Sequence, residues 1–195
     1  MFIFIEMKKI AVYCGSSVGV DSIYSDKAKE LGEMMAELSI GLVYGGASIG
    51  LMGTIADRVL EKGGEVHGVI PEFLDEVEIT HNGLTQLHKT KDMPERKQIM
   101  YDLSDGFIAM PGGFGTLEEI IEVITWAQLG FHKKPCAFYN VNGFYQHLMQ
   151  FFQHAKSQQF IKAEHTDMLI IDEDAQTLLQ AMLKYQAKAV AKWIM

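Results

Sequence analysis

Short apolar runs alternate with longer amphipathic segments along most of the chain. The apolar runs are bounded by Gly, Pro or Asn, as is typical of buried parallel strands; they span residues 8–15, 41–46, 65–70, 106–113 and 135–140. The other segments repeat apolar residues at helical spacing; they span residues 22–39, 49–64, 93–104, 116–129, 144–157 and 172–194. This alternation predicts an α/β fold: a Rossmann-like, doubly wound parallel sheet with helices on both faces.

Length and charge limit the kinds of protein that this chain can be. Its 195 residues, 48% of them hydrophobic, predict a single domain over residues 1–195. A net charge of −8 disfavours binding to nucleic acid or to an anionic membrane. The opening MFIFIEM is too short for a signal peptide or a membrane span, so we expect a ragged start or an extra edge segment there. A small molecule is the expected partner.

The cysteines and histidines predict neither a metal site nor a cofactor. Cys14 and Cys136 lack CxxC spacing, so we expect reduced, buried thiols in a cytoplasmic protein. The histidines are scattered, and His147 and His154 are expected to share a helix face rather than to bind a metal ion.

Three loops that follow predicted strands consist mainly of small residues. They span residues 14–17, 44–53 and 111–116, and right-handed crossovers place them on one edge of the sheet. A strand that ends in glycines and leads into a helix presents free N–H groups and the positive end of the helix dipole, which suit a phosphate. The candidate phosphate contacts are Ser16, Gly45, Gly46, Gly112, Gly113, Gly115 and Thr116.

The glycine-rich loops also have a purely structural interpretation, and they lack the two common nucleotide-binding motifs. The glycines can instead serve only to make tight turns between strand and helix. No P-loop Lys follows them and their spacing is not GxGxxG, so neither a nucleoside triphosphate nor a dinucleotide is indicated.

Two carboxylates and two cations lie close to the third loop in sequence. Glu118 and Glu119 are expected in the first turn of a helix that starts near Thr116, where capping is the simpler explanation for them. Arg96 and Lys97 lie in the first turns of another helix, near the positive end of its dipole. A cation is unfavourable there unless a nearby acid or anion offsets the repulsion. The alternative for this pair is two solvated surface charges. We expect the cations to reach the glycine-rich pocket and one Glu to face it.

The segments MPERKQIM and PGGFGTLEE carry a resemblance to a known family. They are similar to the paired signature M-x-x-R-K-x-x-M and P-G-G-x-G-T-x-E-E of the Lonely Guy family of cytokinin riboside 5′-monophosphate phosphoribohydrolases. The resemblance extends over roughly residues 8–160. It implies a Rossmann-like homodimer that hydrolyses the N-glycosidic bond of an adenine-type nucleoside 5′-monophosphate. Relatives are often labelled lysine decarboxylases, but no pyridoxal-lysine context supports that name here.

The resemblance also implies roles for individual residues. The catalytic pair of the family falls on Arg96 and Glu119. Substrate-contacting positions fall on Glu78, Lys97, Gly113, Phe114, Gly115, Thr116, Leu117, Glu118 and Thr125. Two departures from the family pattern are Pro94, where relatives often have His or Gln, and Val77, where they commonly have a basic residue. The first can alter the start of the helix, and the second weakens the assignment of Glu78.

The implied reaction suits these residue types, and two other functions remain as alternatives. Glycosidic cleavage passes through an oxocarbenium-like ribosyl cation, which a carboxylate such as Glu119 stabilises. Arg96 supplies a cation for the departing base or positions the nucleotide. The first alternative is a non-catalytic carrier of a nucleotide or of the molybdenum cofactor on the same fold. The second is a DNA-processing protein, which the acidic net charge disfavours.

Overall fold

A computed structural model describes residues 7–75 and 80–187 of the chain. Within these ranges seven strands form one sheet in which all neighbours are parallel, with the order β4-β3-β2-β1-β5-β6-β7. The strands are β1 (Lys9–Tyr13), β2 (Gly41–Tyr44), β3 (Val66–Pro71), β4 (Gln86–Thr90), β5 (Gly106–Ala109), β6 (Cys136–Tyr139) and β7 (Leu169–Asp172). The predicted parallel α/β fold is confirmed.

Helices cover both faces of the sheet. They are α1 (Ser22–Glu37), α2 (Gly50–Glu61), α3 (Glu72–Asp75), α4 (Met93–Leu103), α5 (Phe114–Gln128), α6 (Gln146–Ser157), α7 (Ala163–Thr166) and α8 (Ala175–Leu183). One apolar core packs residues of α1, α2 and α8 against the sheet, and a second packs residues of α4, α5 and α6 against its other face. Burial on both faces explains why β1, β2, β5 and β6 are apolar almost throughout.

The structure differs from the sequence prediction at the sheet edges and at the chain ends. β4 and β7 were not predicted, and they are the two edge strands. The last predicted helix reached residue 194, but α8 ends at Leu183 with Lys184 as its C-cap. Residues 1–6, which contain most of the predicted edge segment, and residues 188–195 lie outside the described part of the chain.

The order of the strands creates a crevice between the loops that follow β1 and β5. The chain moves outward from β1 to β4 on one side, and β5 to β7 then extend the sheet on the other side of β1. The chain leaves β1 for α1 on one face of the sheet and leaves β5 for α5 on the other face, which leaves room for a ligand at the carboxyl ends of the strands. Two hydrogen bonds join the three glycine-rich loops here: Gly15 N donates to Pro111 O over 3.0 Å, and Leu51 N donates to Gly15 O over 3.0 Å. The predicted convergence of these loops is confirmed.

In the residues that the structure describes, every helix is too short or too polar to cross a lipid bilayer.

Candidate active site

A cavity of about 350 Å³ opens at the crevice. Its walls come from the end of β1 and the following loop, the end of β2, the helices α2, α3 and α4, and the first two turns of α5. It contains eight of the residues predicted for the site: Ser16, Gly45, Arg96, Gly113, Phe114, Gly115, Thr116 and Glu119. Elements far apart in sequence therefore bring the predicted catalytic pair and most of the predicted phosphate contacts together.

The amino end of α5 forms one wall of the cavity. The helix begins at Phe114 with Gly113 as its N-cap, and no side chain caps it. The first N–H groups of a helix have no partner within the helix, and the helix dipole makes this end positive. Because Gly113 has no side chain, these donors are accessible from the cavity, as an anion-binding site requires.

A buried tyrosine holds the loop that leads into α5. Tyr145 Oη donates a hydrogen bond to Met110 O over 2.6 Å, and Met110 N donates to Tyr13 O over 2.9 Å. Tyr145 is fixed in turn, since its backbone N–H donates to Asn140 Oδ1 over 2.7 Å. The sequence analysis missed Tyr145, because a single aromatic residue at the start of a helix has no motif that distinguishes it from a core residue.

Arg96 and Glu119 form a hydrogen-bonded ion pair inside the cavity. Arg96 Nη1 lies 2.9 Å from Glu119 Oε1, and the two side chains are only 12% and 10% exposed. Arg96 Nε also donates to Val69 O in β3 over 3.0 Å, which orients the guanidinium plane. The acid that was expected to compensate a cation near the start of α4 is thus Glu119, and the surface-charge alternative is wrong for Arg96.

Glu119 has a perturbed acidity because it is buried. Burial raises the pKa of its carboxyl above the usual 4.5, although the positive charge of Arg96 acts in the opposite direction. Such a shift is frequent among carboxyl groups that take part in catalysis.

The capping explanation for the two glutamates is wrong. α5 begins at Phe114 rather than near Thr116, so Glu118 and Glu119 lie in its second turn and the first turn contains no acidic residue. They pair instead with cations of α4, Glu119 with Arg96 and Glu118 with Lys97.

Lys97 lies outside the cavity. Its Nζ donates to Glu118 Oε1 over 2.5 Å and to Glu122 Oε1 over 3.0 Å. Glu118 is mostly exposed, and Leu117 packs against the core beneath α4, α5 and α6. These three predicted substrate contacts are near the cavity but do not line it.

The remaining predicted contacts are placed elsewhere. Thr125 is exposed further along α5, where its hydroxyl donates to Ile121 O over 2.7 Å. Gly46 is buried in a turn with φ of +83°, which suits glycine. Gly112 lines an adjacent, more apolar cavity of about 380 Å³.

Glu78 and Val77 lie outside the described residues. Pro94 fits the first turn of α4, whose N-cap is Asp92.

Within the described ranges, no group of three or more His, Cys, Asp or Glu side chains is arranged to hold a metal ion. Cys14 and Cys136 are both buried free thiols.

Gly45 has a role that the sequence did not reveal. A Cβ atom at this position would lie 2.6 Å from Arg96 Nη2 and 3.0 Å from Met52 Sδ. The guanidinium therefore packs directly against the bare backbone at the end of β2, so a larger residue has to displace it.

We expect Gly45→Ala to lower the catalytic rate by about tenfold or more without unfolding the protein, because Arg96 is predicted to be catalytic and a small displacement of such a group has a large effect on rate. The atoms that the new methyl group meets belong to flexible side chains, which move at little cost. Steady-state kinetics beside thermal unfolding measures both effects. A folded variant with the parent rate would mean that the observed position of Arg96 is unimportant.

Comparisons with known proteins show the family and the fold of this chain. The chain matches the family model described as "possible lysine decarboxylase" over residues 52–182. It is 43% identical to the cytokinin riboside 5′-monophosphate phosphoribohydrolase of Rhodococcoides fascians over 176 residues, which cover 90% of this chain and 89% of that protein. It is 45% identical to the enzyme of the same name from Oryza sativa subsp. japonica, over 92% of this chain and 74% of that protein.

Two solved structures share the fold at low sequence identity. The molybdenum cofactor carrier protein of Chlamydomonas reinhardtii superposes with a TM-score of 0.68 at 21% identity, over 89% of this chain and 94% of that one. DNA processing protein A of Helicobacter pylori superposes with a TM-score of 0.57 at 15% identity, over 91% of this chain and 80% of that one. At this identity the likeness concerns the fold alone. Identity above 40% over most of the length is found with the phosphoribohydrolases, and the chain belongs to their family, the Lonely Guy family.

Proposed function

We propose that this protein hydrolyses the N-glycosidic bond of an adenine-type nucleoside 5′-monophosphate. The substrate is a cytokinin riboside 5′-monophosphate, AMP or both, and the products are the free base and ribose 5-phosphate. The observation that carries the proposal is the buried Arg96–Glu119 pair, which lies in the same cavity as the uncapped amino end of α5. A nucleoside monophosphate carries a phosphate anion that the amino end of α5 binds. It also has a glycosidic bond on which the Arg96–Glu119 pair acts.

The helix end and the carboxylate bind different parts of the nucleotide. The 5′-phosphate accepts hydrogen bonds from the first N–H groups of α5 near Gly113, and this remote binding energy fixes the ribose beside Glu119. When the bond between the anomeric carbon and the base nitrogen breaks, its electron pair leaves with the base and positive charge develops on the ribose. The Glu119 carboxylate stabilises this charge and accepts a proton from the attacking water.

Arg96 acts on the negative charge that develops on the departing base. Its guanidinium stays protonated at ordinary pH, so it serves as a fixed cation rather than as a proton donor. The hydrogen bonds from Arg96 to Val69 O and Glu119 orient this cation before the substrate binds. The base nitrogen takes up a proton from the solvent and Glu119 returns the proton of the attacking water to the solvent, so one water molecule is consumed for each bond cleaved.

The carrier and DNA-processing alternatives have weaker support. A carrier needs a phosphate-binding site but does not need a buried carboxylate–guanidinium pair in the cavity. A DNA-processing protein is disfavoured by the net charge of −8.

The two buried free thiols support a cytoplasmic location.

Incubation with AMP and with isopentenyl-AMP, followed by chromatography of the free base, tests the proposed hydrolysis. We expect free base and ribose 5-phosphate to appear in equal amounts. A protein that binds either nucleotide but releases no base would instead fit the carrier. The ratio of kcat/KM for the two nucleotides identifies the preferred substrate.

We also propose that the protein is a homodimer that pairs through α5. Four exposed residues, Phe114, Glu118, Ile121 and Thr125, recur three or four positions apart and form one stripe along this helix. Phe114 is 94% exposed at the mouth of the cavity, and exposed apolar side chains beside a site are frequent at interfaces. A partner packed on the stripe would bring Thr125 of one copy towards the cavity of the other.

Light scattering at micromolar concentration is expected to give about twice the chain mass of 21.9 kDa. Ile121→Glu places a charge in the middle of the stripe and should produce a monomer. Phe160→Glu, at an exposed apolar position beyond α6, is the control and should remain dimeric. A parent protein that is monomeric and fully active would contradict the dimer.

A further inference from the structure

The chain leaves the regular hydrogen-bond pattern of the sheet directly after β5, at Met110. Met110 N donates to Tyr13 O over 2.9 Å, which continues the parallel ladder between β5 and β1. In a regular parallel ladder the carbonyl of the same residue accepts from the residue two positions beyond Tyr13, which is Gly15. Gly15 N instead donates to Pro111 O over 3.0 Å. The pattern therefore shifts by one residue where the chain enters the glycine-rich loop.

The hydroxyl of Tyr145 replaces the ladder bond that Met110 O lacks. Tyr145 Oη donates to Met110 O over 2.6 Å. Both residues are buried, with exposed fractions of 2% and 0%. A buried carbonyl without a hydrogen-bond donor is unfavourable, so the shifted pattern requires another donor at this point. Tyr145 supplies this donor and thereby stabilises the shifted pattern relative to the regular one.

Tyr145 is itself held firmly from the side of β6 and β7. Its ring makes edge-to-face contacts with the rings of Phe138 and Phe144, with centroids 5.0 Å apart in both cases. Its backbone N–H donates to Asn140 Oδ1 over 2.7 Å, and Asn140 N donates to Asp172 O over 2.8 Å. The position of the hydroxyl is therefore fixed by elements other than the loop that it holds.

The shifted pattern determines how two walls of the cavity face each other. Gly15 and Gly113 both line the cavity, and their loops are in close contact, since a Cβ atom at Gly112 would lie 2.9 Å from Gly15 N. If Gly15 N donated to Met110 O, as in the regular ladder, the two loops would have to slide past each other. Gly113 is the N-cap of α5, so the first N–H groups of this helix would then meet the phosphate in a different position.

We propose that Tyr145 is a positioning residue for phosphate binding, because its hydroxyl holds Met110 O out of the regular ladder and so places the loop that leads into α5. Tyr145 does not line the cavity, so it acts through this loop and not as a substrate contact. The inference rests on the proposed function, in which the 5′-phosphate binds at the amino end of α5.

Tyr145→Phe tests this role because it keeps the ring and removes only the hydroxyl. We expect KM for AMP to rise and the affinity for ribose 5-phosphate to fall by about fivefold, which is comparable to the contribution of one neutral hydrogen bond. The phosphate is bound in the ground state as well as in the transition state, so kcat should change by less than about twofold. Steady-state kinetics and calorimetry measure these quantities.

Ser104→Ala is the matched control. The hydroxyl of Ser104 is also buried and also donates to a backbone carbonyl, that of Met100, over 2.8 Å. It lies between α4 and the first residue of β5, at the opposite edge of the sheet from the cavity. Both variants should lower the midpoint of thermal unfolding by a few degrees. Only Tyr145→Phe should weaken the affinity for ribose 5-phosphate, which separates positioning from a general loss of stability.

Two further measurements are independent of turnover. Adenosine lacks the phosphate, so its affinity should change by less than about twofold in Tyr145→Phe. The amide resonance of Gly15 in NMR spectra should shift in Tyr145→Phe and stay in place in Ser104→Ala, because Gly15 N is then able to donate to Met110 O.

Three results would overturn the inference: an unchanged affinity of folded Tyr145→Phe for ribose 5-phosphate, an equal loss of affinity for adenosine, or an unshifted Gly15 resonance. If Tyr145→Phe does not fold, Asn140→Ala removes the support of Tyr145 and is judged by the same results. A parent protein that binds ribose 5-phosphate but releases no adenine contradicts the proposed hydrolysis alone, since the affinities still test Tyr145. A parent protein that does not bind ribose 5-phosphate overturns this inference as well.

Discussion

Replacement of Glu119 by Gln is expected to lower the turnover of AMP at least about a hundredfold and to leave the affinity for the nucleotide almost unchanged. Gln has the shape of Glu, and its amide oxygen still accepts the hydrogen bond that Arg96 Nη1 donates over 2.9 Å. The cavity and the amino end of α5 therefore remain as they are. The negative charge is lost, and with it the stabilisation of the ribosyl cation and the group that accepts a proton from water.

Arg96→Ala provides the contrast to this result. A cation beside the nucleotide interacts with the bound substrate as well as with the transition state, so turnover and affinity should both fall. Calorimetry measures affinity, adenine release measures turnover, and circular dichroism confirms folding. Glu37→Gln, at an exposed position near the end of α1, makes the same chemical change away from the site and should behave like the parent. Turnover at the parent rate in Glu119→Gln would refute the catalytic assignment.

The buried part of the sheet was predictable from the sequence, and its edges were not. β1 is buried except at its first residue, and β2, β3, β5 and β6 are buried completely, so each of them is an apolar run between turn residues. β4 is different because Gln86, His88 and Lys89 are only partly covered or exposed at the edge. β4 is a half-covered edge strand with polar residues, and a rule that looks for apolar runs misses it.

The composition of the site was predictable, but the partner of each charge was not. The spacing of Arg96 and Lys97 with Glu118 and Glu119 indicated that two cations and two acids lie near one pocket. Which cation enters the pocket depends on how α4 crosses α5, and this is a property of the packed structure. The start of α5 was predicted two residues late, since Phe114 and Gly115 are poor helix formers. That small error was enough to make capping plausible for both glutamates.

The part played by Gly45 was also hidden from the sequence. A glycine after a strand suggests either a turn or a ligand that approaches the backbone. The structure gives a third reason, since the space that a Cβ atom would occupy is filled by the guanidinium of Arg96. The contact joins residues that are 51 positions apart in the chain, and no local pattern records it.

Gly113→Val is expected to abolish nucleotide binding while the protein stays folded. A Cβ atom at Gly113 meets no atom of the protein within 4 Å, so there is room for a side chain in the free protein. The backbone there has φ of −98° and ψ of −150°, outside the left-handed region that favours glycine. The loss of glycine from the N-cap costs no more than about 1 kcal/mol of helix stability. The open space is the approach to the first N–H groups of α5, and the branched side chain of Val would occupy it.

The loss of binding should depend on the size of the side chain and on the phosphate. Gly113→Ala adds one methyl group and should weaken the affinity for AMP and for ribose 5-phosphate, whereas Gly113→Val should reduce both below detection by calorimetry. Adenosine, which lacks the phosphate, gains nothing from the helix end, so the affinity for adenosine should differ little between the parent and Gly113→Ala. Thermal unfolding of each variant confirms that the fold is retained. If folded Gly113→Val binds AMP as tightly as the parent, the phosphate does not bind at the amino end of α5, and the glycines of this loop serve only to turn the chain.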